Sequence, residues 1–199
     1  NPFTVERSTF YFNQENLTLA PETEMEPTDE NLLLPAFRYG TSEFLKAIGA
    51  SKVVIGVSGG IDSAVNAALY RSILPAENIL LVNTPTRYNS ELTKGLAAEL
   101  AKNLGCQLLT VPIGDFIDET ADALEGLPLP DDTVHLTGFM KENMQARDRS
   151  SRILAALSAA FGGIFTCNAN KTETTVGYGT LYGDLAGAFA ATADLWKYQ

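Results

Sequence analysis

The run Ser58-Gly59-Gly60-Ile61-Asp62-Ser63 has the chemistry of an anion cradle. It follows a compact β-branched segment, residues 52–57, and opens a segment of helical pattern, residues 62–72. Two glycines let the backbone fold closely around a ligand. The unpaired N–H groups of a helix start then face an anion. Ser58 and Ser63 can donate hydroxyls to phosphate oxygens. Asp62 would repel phosphate unless a cation lay between them, so it reads as a Mg²⁺ ligand. The run has neither the lysine of GxxxxGK[ST] nor the spacing of GxGxxG. The plainer alternative is a strand–turn–helix in which Ser caps and the glycines supply geometry alone.

A second group of charges lies in residues 141–152, where Arg147 and Arg149 stand two apart on a helical pattern. They do not share a face closely, yet can reach two anionic groups. The alternative there is a solvated face with internal acid–base pairs. Glu173 follows a polar turn after the last predicted strand, at the carboxyl end where parallel sheets bind ligands. Its alternative is a helix N-terminal carboxylate favoured by the helix dipole. The single histidine, His135, sits in an acidic loop and reads as a surface residue. Cys106 and Cys167 have no base beside them in sequence, so no nucleophilic cysteine is expected. No Cys-His-Glu glutaminase set can be assembled.

These residues need elements to position them. The 199 residues suit one domain of ordinary size. Hydrophobic residues make up 45% and charged residues 19%, which excludes a charge-rich disordered chain. Acidic residues number 24 and basic residues 14, a net charge of -10 that argues against nucleic acid or an anionic membrane as partner. An anionic substrate must therefore meet a few placed cations, helix N-termini or a divalent metal. The two cysteines form no CxxC pair, so a reducing, cytoplasmic compartment is expected. No apolar run approaches the ~18 residues of a membrane span. The start lacks a signal-peptide pattern and an initiator Met, and the end lacks a helix stop. A piece of a longer polypeptide is expected.

Residues 1–30 are turn-rich and acidic and read as linker, with a helix opening near Thr28–Glu30 and interrupted at Pro35. Strands are expected over residues 52–57, 78–83, 107–111 and 164–167. Helices are expected over residues 62–72, 90–104, 115–124 and, as one long element, 141–160. In the second of these, Leu92, Leu96, Leu100 and Leu104 mark the apolar face. Residues 125–138 read as a surface loop. Strands alternating with helices predict a parallel sheet covered on both faces.

SGGIDS resembles the ATP-pyrophosphatase loop of the N-type ATP pyrophosphatases, which adenylate an oxygen and release pyrophosphate. Three further blocks narrow the resemblance: Thr84–Ser90 (TPTRYNS), Glu142–Arg149 (ENMQARDR), and Asn170-Lys171-Thr172-Glu173 followed by Gly177–Asp184 (GYGTLYGD). From about residue 35 onward the chain is similar to the synthetase portion of glutamine-dependent NAD synthetases. The resemblance implies a Rossmann-like three-layer fold of the adenine nucleotide alpha-hydrolase type. It implies residues 31–199 as the synthetase domain, incomplete at its C-terminus, with residues 1–30 following an absent glutaminase domain. It implies ATP over Ser58, Gly59, Gly60, Asp62 and Ser63, with Arg149 on its phosphates and Asn168 near the nucleotide. Mg²⁺ would lie between Asp62 and Glu173. Deamido-NAD would meet Asn143, Arg147, Tyr182, Asp184 and Lys197, the last also offsetting acyl-phosphate charge. Ammonia would be the second substrate and a homodimer the assembly. This sequence has Asn168-Ala169 where the family often has Thr-Gly. Other enzymes sharing the loop, such as GMP synthetase or a tRNA thiolase, and a non-catalytic nucleotide-binding domain are the competing readings.

Overall fold

The computed structural model describes residues 32–86 and 91–198. The expected helix opening at Thr28–Glu30 lies outside them. The first helix, α1 (Leu33–Ala47), runs through Pro35 without a break. Pro35 is the third helical residue, where no backbone N–H has an intrahelical partner to lose, so the expected interruption does not occur. The helix buries Thr41 and Leu45, and Phe44 stacks on Phe189 with ring centroids 4.3 Å apart.

Four strands follow: β1 (Val53–Gly56), β2 (Ile79–Asn83), β3 (Gln107–Thr110) and β4 (Ile164–Phe165). They form one sheet in the order β3-β2-β1-β4, with every pairing parallel. The side-chain alternation of strands makes the layers. Val53 and Ile55 of β1 and Ile79 and Leu81 of β2 pack on one face with Leu45 of α1, Tyr70 of α2 (Ile61–Arg71) and Ala97 and Ala101 of α3 (Glu91–Leu104). Val54, Leu80 and Val82 pack on the other, against Ile153 and Leu154. The result is the three-layer parallel architecture, helices on both sides of the sheet.

Two expectations about helices are corrected. In α3 the buried stripe is Ala97 and Ala101, with Leu100 and Leu104 beside it; Leu96 is exposed, and the side chain of Leu92 lies outside the described part. The small alanines sit at the centre of the buried face, so Leu100 and Leu104 pack at its edge and Leu96 turns outward. The long helix expected over residues 141–160 is three pieces: α5 (Gly138–Arg147), a π-helical segment Asp148–Leu154, and α6 (Ala155–Phe161). The widened turn buries Asp148, whose two carboxylate oxygens are held by Arg152. Arg152 in turn lies 4.3 Å from the ring centroid of Phe116, on α4 (Gly114–Leu124). The last strand is shorter than expected: Thr166 still donates its N–H to the Val54 carbonyl of β1, but the Cys167 N–H leaves the sheet for the Phe189 carbonyl.

Candidate active site

A cavity of about 690 Å³ opens at the carboxyl ends of β1, β2 and β4. The chain leaves β1 in one direction to β2 and returns on its other side as β4, so this is the crevice where open α/β sheets bind ligands.

The SGGIDS run forms its floor. Gly59 adopts φ 84°, a left-handed conformation that favours glycine. Gly60 then caps α2. The Gly60 N–H donates to Ser58 Oγ at 3.2 Å, and Ser63 Oγ donates to the Gly60 carbonyl at 3.0 Å. The buried Ser63 thus braces the loop from inside, while Ser58 is exposed at the cavity. The first-turn N–H groups of α2 carry no intrahelical bond.

Asp62 is the charged point of this floor. Its Oδ1 accepts from Asn170 Nδ2 at 3.1 Å and its Oδ2 from Lys197 Nζ at 3.0 Å. That bond and the carboxylate charge raise the Lys197 pKa above its ordinary value. Glu173 faces the same cavity from α7 (Lys171–Val176). Its Oε2 accepts from the Asn170 N–H, and its own N–H donates to Asn170 Oδ1, both at 3.1 Å. This is a capping box, so the helix-terminal alternative for Glu173 is realised in the geometry. The buried Asn170 therefore ties together the two carboxylates. Among the described residues no group of three or more His, Cys, Asp or Glu could hold a metal. A pair of carboxylates still suits Mg²⁺, which is commonly held by one or two of them together with substrate phosphates and water.

Arg149 lines the same cavity. Burial lowers its pKa from the ordinary value, and Asp184 and Asp148 oppose that shift. Its guanidinium makes no hydrogen bond among the described residues, so its donors are available to a ligand anion. Asn168 also lines the cavity, but both ends of its amide serve the fold: Nδ2 donates to the Gly56 carbonyl at 2.7 Å and Oδ1 accepts from Thr166 Oγ1 at 3.2 Å.

The glycine-rich segment after α7 makes the far wall. Asn143 and Asp184 line the cavity there. Arg147 and Tyr182 do not; they fasten the segment. Arg147 Nε donates to the Leu181 carbonyl at 3.1 Å, and Ser151 Oγ donates to the carbonyl of Tyr182, which has φ 63° and an exposed ring. Gly183 is buried against α5: a Cβ there would stand 2.9 Å from the Ala146 Cβ.

Of the residues singled out from sequence, Ser58, Asp62, Ser63, Asn143, Arg149, Asn168, Glu173 and Asp184 line one cavity; Gly59, Gly60, Arg147, Tyr182 and Lys197 stand behind or beside it. Sequence reasoning missed Asn170 and Thr180 as individual residues. Asn170, three before Glu173, had a readable signal in the N-x-x-E pattern of a capping box. Thr180 had none, because its partner Asn143 is 37 residues away. His135 is exposed and bonds to Glu125 at 2.9 Å, away from the cavity. Cys106 and Cys167 are free and buried, and burial pushes both thiols up.

A family model described as NAD synthase matches residues 38–199. A glutamine-dependent NAD(+) synthetase of Synechocystis sp. is 40% identical over 171 residues, covering 86% of this chain and 30% of that protein. The chain thus spans about 30% of the length of the curated relatives it matches. The structure of a glutamine-dependent NAD+ synthetase from Acinetobacter baumannii, in complex with ADP, is similar with TM-score 0.77 at 32% identity, covering 88% of this chain and 32% of that one. An NH3-dependent NAD synthetase from Campylobacter jejuni is similar with TM-score 0.75 at 29% identity, covering 85% of this chain and 69% of that one.

Proposed function

The chain belongs to the NAD synthase family, and from that membership we propose that it carries out the ATP-dependent amidation of deamido-NAD to NAD. The observation that carries the reading is one cavity lined by a phosphate-type loop, two carboxylates, an arginine with unspent donors, and Asn143 with Asp184. That is room and chemistry for a nucleotide triphosphate beside a second polar substrate. A relative crystallised with ADP supports the nucleotide half.

The nicotinate carboxylate attacks the α-phosphorus of ATP, and the bond to pyrophosphate breaks. The acyl adenylate then takes ammonia at its acyl carbon, loses a proton, and releases AMP with the new amide. In this chain Ser58 and the first-turn amides of α2 cradle the phosphates, and Arg149 offsets their charge. Asp62 and Glu173 would hold Mg²⁺, which when bound neutralises phosphate charge. Asp62 is ready for this once Lys197 leaves its Oδ2, and Lys197 is then free to meet the acyl phosphate or the substrate carboxylate. Asn143 and Asp184 position the dinucleotide, with Arg147 and Tyr182 shaping the segment that holds it. No nucleophilic side chain is required, and the two buried thiols offer none.

The relatives are glutamine-dependent NAD(+) synthetases, which supports ammonia delivered by a glutaminase domain of the same polypeptide. Consumption of ATP and two free cysteines support a cytoplasmic setting. Among the described residues no helix is long and apolar enough to cross a membrane. The test is to supply ATP, Mg²⁺, deamido-NAD and ammonium and to measure all products. NAD, AMP and pyrophosphate should form together; ATP split to ADP and phosphate without NAD would overturn the proposal.

A further inference from the structure

Asn143 is held in one orientation by a residue from another element. Its Nδ2 donates to the Phe139 carbonyl at 2.9 Å, and its Oδ1 accepts from Thr180 Oγ1 at 2.7 Å. A carbonyl can only accept, so the amide nitrogen must face Phe139. The amide oxygen must then face Thr180, whose hydroxyl has to donate. This chain of requirements leaves one N–H of Asn143 unspent and its oxygen engaged. Thr180 has a second hold: its backbone N–H donates to both carboxylate oxygens of Asp184, at 3.1 and 3.2 Å. Asn143, Thr180 and Asp184 all line the cavity.

We propose that Thr180 is a positioning and specificity-determining residue for the dinucleotide side of this cavity. Its hydroxyl makes Asn143 present a donor, and its peptide N–H makes Asp184 present an acceptor, at fixed places on one wall. Without the hydroxyl, the oxygen of Asn143 has no donor to face, and the amide is free to rotate away from its binding pose. The proposal rests on the function proposed above, because it takes deamido-NAD as the occupant. The segment carrying Thr180 does not depend on that hydroxyl for its place. Arg147 and Ser151 hold the carbonyls of Leu181 and Tyr182, and Gly183 lies against Ala146. The role is therefore separable from folding.

Thr180→Val keeps the side-chain volume and the peptide N–H and removes only the hydroxyl. The KM for deamido-NAD should rise roughly three- to tenfold, the size of one lost hydrogen bond. The KM for ATP and the melting temperature should stay at wild-type values. Thr180→Ser should restore the deamido-NAD KM to within about twofold of wild type, since it returns the hydroxyl. In an Asn143→Ala background, Thr180→Val should add nothing, because the partner it orients is gone. An unchanged deamido-NAD KM in Thr180→Val, equal rises in both KM values, failure of Thr180→Ser to rescue, or a variant that no longer folds would each overturn the role. A wild-type protein that makes no NAD from deamido-NAD would instead sink the function proposed above; an active wild type indistinguishable from Thr180→Val sinks only this inference.

Discussion

Asp62 stands where three roles meet: it lies in the first turn of α2, it accepts from Asn170, and it holds Lys197. If its charge serves the nucleotide site, Asp62→Asn should fold normally while pyrophosphate release falls roughly a hundredfold or more. Release at the wild-type rate, measured by a coupled phosphate assay, would remove it from the mechanism. The pairing with Lys197 yields a second expectation with the opposite sign for binding. Lys197 is half-exposed and occupies one oxygen of Asp62. Lys197→Met should therefore tighten nucleotide-free Mn²⁺ binding roughly two- to fivefold, the scale of an exposed ion pair, even as NAD formation drops. Paramagnetic titration reads this directly, and unchanged affinity would mean the lysine and the cation do not compete. Residue types at this site were legible because glycines, hydroxyls and an acid in one short run have few other uses together. Their partners were not. Nothing local says that Asn168 spends its amide nitrogen on the Gly56 carbonyl, 112 residues away, or that Asp62 meets Asn170 and Lys197, because those bonds depend on how distant loops meet.

At the scale of elements, periodicity located every described strand and most helices to within a residue or two. It failed where a helix departs from regular geometry. The pattern of residues 141–160 is helical throughout, and only the burial of Asp148 against Arg152 marks the π-helical turn between α5 and α6. That turn sets which face carries Arg149 and Ser150 into the cavity and still lets Leu154, five residues on from Arg149, reach its lining. The Asp148 side chain is 4% exposed, so removing its partner strands a charge. Arg152→Met should lower unfolding free energy by about 2–3 kcal/mol, below the usual penalty for a broken buried pair because Arg152 itself is partly solvated. Urea denaturation measures this. A loss under about 0.5 kcal/mol would mean that the pair is not what holds the turn.

For the molecule as a whole, alternating strands and helices foretold the three-layer fold, since a parallel sheet needs crossovers on both faces. What encloses the cavity was less legible. Phe139, Tyr178, Leu181 and Tyr182 are strongly exposed, and the alanines Ala156, Ala159 and Ala160 of α6 face outward. Apolar and small surfaces of this kind suit a symmetric partner. Light scattering at tens of micromolar should show a dimer, and a strictly monomeric species would contradict the proposed assembly. Glutamine in place of ammonium should give no NAD from this chain, because both cysteines are buried and burial pushes their thiols up, away from service as a glutaminase nucleophile. On the proposed mechanism a pyridine carboxylate is activated on the α-phosphorus of ATP and leaves one of its two oxygens on AMP. Deamido-NAD carrying ¹⁸O in both oxygens of that carboxylate, incubated with ATP, Mg²⁺ and ammonium, tests this by mass spectrometry of the products. One ¹⁸O should appear in AMP for each NAD formed; label found in inorganic phosphate, or NAD formed with unlabelled AMP, would contradict it.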